Sequence, residues 1–257
     1  SPFAFTGNKF EFRMVGSSSS IAPVNVVLNT IVADSLKTFA DRLENSGDFD
    51  KTIRKIISDT VKDHGRIIFN GNGYTEQWSK TAKKLGLSSI PDTVEAAKAY
   101  IDGKNQALFS SFGVFTPEEC HARYEIMLLR YAHTLNIEAN TMMEMGNRLI
   151  LPAIISYAGK VAYSNNQLTK SGIENKSLQK LTQKLSCGID EISDSLKELK
   201  ESLASANGKQ PLQHAQYYRD KVLPAMNRLR SRVDAIEPLV NKEDWPIPTC
   251  SDLLYHV

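Results

Sequence analysis

Apolar and polar residues alternate most regularly at the start of the chain. Over residues 9–15 the alternation sends Phe10 and Phe12 to one face of an extended strand and Lys9, Glu11 and Arg13 to the other. After a Gly/Ser turn at 16–20 the period lengthens. Val24, Val27, Leu28, Ile31, Leu36, Phe39 and Leu43 recur at three- and four-residue steps over 23–44, with Pro23 suited to a first turn. This spacing predicts a long amphipathic helix packed behind the strand. A second helix is expected over 48–63, ended by Gly65, and the apolar run 66–69 before Asn70, Gly71, Asn72 and Gly73 predicts one more small strand or hairpin.

From residue 75 onward the pattern is helical almost to the end, with short elements at 75–85, 93–101 and 104–112. Thr116 and Glu119 have the spacing of a capping box, which opens a helical pattern running to about 164, with a kink expected at Pro152. Over 172–206, Leu178, Leu181, Leu185, Ile189, Ile192 and Leu196 form an apolar stripe among lysines and glutamates. A polar connection at 207–211 leads to a return helix over 212–240, bent at Pro224, so that 172–240 reads as a helical hairpin. The tail 245–249, with Pro246 and Pro248, must be extended.

Composition narrows the function classes. At 257 residues and 41% hydrophobic content the chain can bury a core, and 31 basic against 29 acidic residues give a net charge of +2. No basic block tracks a phosphate backbone, so nucleic acid is not an expected partner. No apolar run reaches the roughly 18–20 residues of a membrane span, and no leader pattern is present, so a cytoplasmic location is expected. Cys120, Cys187 and Cys250 are odd in number and widely spaced, which fits reduced thiols rather than a disulfide or zinc framework. The opening Ser1 and the strand that starts within about ten residues of it are read as a cut in a longer chain.

Lys9, Glu11 and Arg13 are the first candidates for chemistry. A carboxylate flanked by cations can hold a hard divalent cation through oxygen while its neighbours neutralise phosphate or carboxylate. A solvated strand face satisfies the same spacing. His121 and Glu125 share a helix face and are read as a solvated or structural pair rather than a metal site. The turn at 70–73 lacks the lysine of a phosphate-binding loop, Met142, Met143 and Met145 are read as helix packing, and the charges at 190–201 as the wet side of their helix.

The surrounding residues add more. SPFAFTGNKFEFRMVGS at 1–17 resembles the signature strand of type III glutamine synthetases, and NVVLNT at 25–30 resembles the helix start that follows it. RIIFNGNGY at 66–74, FGVF at 112–115, RYE at 123–125, NIEA at 136–139 and WPIPT at 245–249 resemble the same branch in the same order, so the likeness covers essentially the whole chain. The resemblance implies ligation of ammonia to glutamate by ATP through a γ-glutamyl phosphate, with Mg2+ or Mn2+ as cofactor and a large homo-oligomer of stacked rings. It places Glu11 on a metal-binding glutamate, Arg13 on the arginine that binds the reacting glutamate, and Lys9 near the nucleotide phosphates, where more distant synthetases carry an arginine. Further metal-binding carboxylates, a glutamate flap and phosphate-contacting arginines belong upstream in that family, so this piece alone should be inactive.

The expected fold is mainly α with a small β remnant. Residues 1–115 form the C-terminal portion of the α/β catalytic domain, and residues 116–257 a helical region with long antiparallel helices. The strand holding Glu11 is expected to lack its ladder partners. The alternative is a non-catalytic helical scaffold that binds partners through the 172–240 hairpin.

Overall fold

The computed structural model describes residues 3–12, 16, 19–73, 75–88, 90–206 and 210–254, leaving out the side chains of residues 3–5, 10, 12, 250 and 251. Contacts divide the chain into two compact units, Ser1–Ala122 and Arg123–Val257.

The first unit opens with a hairpin in which β1 (Phe3–Phe5) pairs antiparallel with β2 (Phe10–Phe12), Ala4 opposite Glu11. Gly7 supplies the positive φ of 91° that the connecting loop requires. The strand of Glu11 therefore has a ladder partner, contrary to the expected orphan, because Phe3, Ala4 and Phe5 are themselves extended and within reach of a short turn. The expected burial of Phe10 and Phe12 falls on side chains outside the description.

Helix α1 (Ala22–Glu44), with Pro23 in its first turn, lies against α2 (Phe49–His64) and α5 (Gly103–Ser111). Its expected packing behind the strand falls on strand side chains outside the description. Asp48 caps α2 by accepting from Lys51 N at 3.0 Å, and Arg42 reaches Asp59 at 2.7 Å. The strand expected at 66–69 is instead a 3-10 turn at Gly65–Ile67 that extends α2. The Arg66 guanidinium donates to Leu85 O at 3.1 Å, and Phe69 stacks on Trp78 of α3 (Glu76–Lys84) with centroids 4.1 Å apart. Ile67 and Ile68 stay exposed, and only Phe69 of the run packs on the neighbouring helix. Val94 and Ala97 of α4 (Thr93–Ala97) and Phe109 of α5 supply the buried positions here.

Helix α6 (Pro117–Met145) starts at the expected capping box: Thr116 N donates to Glu119 Oε2 at 2.8 Å and Glu119 N to Thr116 Oγ1 at 3.2 Å. The kink expected at Pro152 is a π-helical segment, Gly146–Ile150, that ends just before the proline and leads into α7 (Leu151–Lys170). Proline has no N–H and would crowd the carbonyl four residues earlier, and the wider turn accommodates both defects. The return helix behaves the same way. Helix α9 (Pro211–Tyr217) passes through a π segment, Tyr218–Val222, into α10 (Leu223–Ile236), whose first turn holds Pro224.

In the second unit α8 (Lys176–Ala204), capped by the Asn175 side chain, lies between α7 and α10. Its stripe of Leu185, Ile192, Leu196 and Leu199 is buried against Ile154, Val222, Leu229 and Val233. At roughly 1.5–3 kcal/mol per buried large apolar side chain, this stripe is a substantial part of the stabilisation of the unit. Met142 and Met143 pack onto the same core. The charged residues over 190–201 face outward, where Glu198 accepts from Arg228 Nε at 2.9 Å and Glu191 lies 3.2 Å from Arg232. After α10 the chain turns through Glu237–Leu239 and Lys242–Asp244, buries Trp245, and ends its described course in α11 (Cys250–Leu254).

Candidate functional site

Glu11 and Lys9 do not share a strand. The register closes at Phe5 and Phe10, so Lys9 is the last residue of the loop, where its carbonyl accepts from Thr6 N at 2.8 Å and Thr6 Oγ1 at 3.1 Å. Its side chain is exposed, whereas Glu11 is half-buried within the ladder. The Thr6–Lys9 hydrogen bond continues the register of Phe5 and Phe10, so Lys9 precedes Glu11 by two residues at the loop end of the hairpin. Arg13 lies outside the described residues.

Chemically, Glu11 can offer carboxylate oxygens to a hard cation from a backbone fixed by strand pairing, and Lys9 can bring a mobile positive charge beside it. Two or three further oxygen donors from protein would complete a divalent-ion site. Among the described residues no group of three or more His, Cys, Asp or Glu is gathered in that way.

The other sequence candidates are placed as follows. His121 and Glu125 are exposed on α6. The 70–73 segment is a turn in which Gly71 sits against the Phe69 ring, a Cβ there falling 2.7 Å from Cζ, and Thr75 Oγ1 closes it on Asn72 O at 3.0 Å. Cys120 is buried and Cys187 exposed, both as free thiols. None of the described helices is long and apolar enough to cross a membrane.

Sequence reasoning did not foresee three clefts in the second unit. One of about 560 Å³ runs beside Lys180, Lys184 and Cys187. Another, of about 620 Å³, is lined by Met142, Met145, Met226, Leu253 and their apolar neighbours. The third, of about 610 Å³, lies where α6 passes α9 and the second π segment. There Tyr218 is 3% exposed, donates its hydroxyl to Asn136 Oδ1 at 2.9 Å and takes the His214 ring edge-on at 5.0 Å. Burial pushes the Tyr218 phenol above its ordinary pKa. The residues that shape this cleft come from α6, α9 and a π segment far apart in sequence, and no local motif marks them.

Residues 52–169 match the family model described as the glutamine synthetase C-terminal domain. Over 99% of its length the chain is 34% identical to a type-3 glutamine synthetase of Dictyostelium discoideum and 32% identical to a glutamine synthetase of Butyrivibrio fibrisolvens. It is 28% identical, over the same share, to a glutamine synthetase of Bacteroides fragilis strain YCH46. The chain spans 36 to 37% of the length of these relatives.

Proposed function

We propose that the chain, whose residues 52–169 match the glutamine synthetase C-terminal domain, corresponds to the C-terminal part of the type III enzymes and serves an ATP-dependent glutamate–ammonia ligase. The observation that carries this reading is similarity along 99% of the chain to relatives of that name.

In the proposed reaction ATP phosphorylates the side-chain carboxylate of glutamate, and ammonia displaces phosphate to give glutamine. Glu11 is the residue of this chain that would hold Mg2+ or Mn2+, and its place in a paired strand fits a positioned oxygen ligand. When bound, the ion neutralises charge on the transferring phosphoryl group. Arg13 binds the reacting glutamate, and Lys9, exposed at the loop end, neutralises nucleotide phosphate. Glu11 alone cannot complete the coordination, so the remaining ligands come from the rest of a longer protein and the 257-residue chain alone is inactive. We place the boundary between the catalytic portion and the helical region near residue 115, and assign the whole protein to the cytoplasm as a homo-oligomer of stacked rings.

The test combines the intact mass of the natural protein with glutamate- and ammonia-dependent release of phosphate from ATP. A mass well above 28.6 kDa, with activity lost in Glu11→Ala, is the expected result. A natural protein of 28.6 kDa without activity would overturn it in favour of a helical scaffold.

A further inference from the structure

The cleft between α6, α9 and the Tyr218–Val222 segment has a one-sided charge balance. Its lining holds Arg130, His133 and His214 and no aspartate or glutamate. Five other arginines of the second unit are held by carboxylates: Arg148 by Glu144, Arg219 by Asp220, Arg228 by Glu198, Arg230 by Asp234 and Arg232 by Glu191. Arg130 differs. Among the described residues no carboxylate pairs with it, and the positions three and four away on α6 are Ile126, Met127, His133 and Thr134, none of them acidic. The walls next to it are apolar and aromatic, with Ile126 and Leu129 exposed at 63% and 49% and the ring pair His214–Tyr218 opposite. The hydroxyl of Tyr218 is already committed to Asn136, which fixes that wall.

We propose that this cleft binds a small organic anion with an aromatic or apolar body. Its acid group sits on the Arg130 guanidinium, a planar donor matched to carboxylate and sulfonate geometry, with His133 as a second donor. The body lies over Ile126 and Leu129 and against the His214 and Tyr218 rings, replacing exposed apolar surface and gaining ring contacts. A volume of about 610 Å³ is within the range of small-molecule sites. Binding here is independent of the ligase reading, since none of these residues belongs to the Lys9–Glu11–Arg13 set.

The experiment titrates the intact protein with anilinonaphthalene sulfonate, an aromatic anion, and with phenylnaphthylamine, its neutral counterpart, following fluorescence. Arg130→Gln is expected to weaken the anionic probe roughly tenfold, the scale of one charge-assisted contact, and to leave the neutral probe unchanged. Arg228→Gln, which removes an ion-paired arginine, should change neither. Unaltered anion affinity in Arg130→Gln would overturn the proposal. So would an equal loss in Arg228→Gln, which would show only a response to net charge. Arg130 is exposed on α6, so its variant is expected to fold.

Discussion

Gly188 of α8 and Ile236 of α10 touch with no side chain between them: a Cβ on Gly188 would fall 2.3 Å from Ile236 Cδ1. The two helices approach this closely only because the residue there is glycine. Gly188→Ala is expected to destabilise the protein by about 1–3 kcal/mol through overpacking, despite the better helix propensity of alanine. Chemical denaturation measures this, and Ile236→Val in the same chain should recover part of the loss. Full stability in the single variant would mean that the helices separate freely.

Ile192 lies on the stripe of α8 and is fully buried. Ile192→Ala is expected to cost about 2–5 kcal/mol, the transfer term plus the cavity left between α8 and its neighbours. Lys197→Ala on the exposed side of the same helix should change the denaturation midpoint little.

Thr116 and Glu119 satisfy each other's backbone at the start of α6. Thr116→Ala should cost about 1 kcal/mol, and Thr116→Ser much less, because serine restores the oxygen acceptor. Hydrogen exchange at the amides of 118–120 reports the loss where it arises.

Asp252 lies 2.6 Å from Lys242 and accepts from Thr249 N and Oγ1 at 3.0 and 2.7 Å. The Lys242 ammonium first, then Thr249, holds its carboxyl far below the usual carboxylate range. A group with a depressed native pKa favours the folded arrangement above its unfolded value, near 3.9, and that contribution fades as pH falls below it. Acidification from pH 5 to pH 2 should therefore loosen the segment around buried Trp245 before the helices melt. Tryptophan fluorescence in a Trp78→Phe background follows it, and Asp252→Asn should show the loosened signal already at neutral pH.

The long helices were legible because their stripes are uninterrupted over many turns. Leu185, Ile192 and Leu199 repeat often enough on α8 to fix its period and its buried face. An irregularity was expected at Pro152 and Pro224, though not a π turn, which depends on what the preceding carbonyls can reach. The N-terminal readings fared less well. Phe3, Ala4 and Phe5 carry no alternation of charge, so the partner of β2 went unseen. The run at 66–69 has strand-like residues, yet Trp78 offers Phe69 a ring to stack on. The chemistry of Lys9, Glu11 and Arg13 came from resemblance, because three alternating charges specify no particular ligand.

The two π segments also set the rotational phase of everything that follows them. Each adds about one residue to a turn, which rotates all later side chains by about 100° around the helix axis. Ile154 and Val161 after the first segment, and Leu229 and Val233 after the second, face the core because of that added step. Deleting a single residue from either segment would restore an ordinary helix of nearly the same length and turn its buried stripe toward solvent. In comparisons among relatives, a one-residue gap at 146–150 or 218–222 would therefore mark a change in which helix face meets α8, whereas a gap of that size in a surface loop would leave the packing as it is.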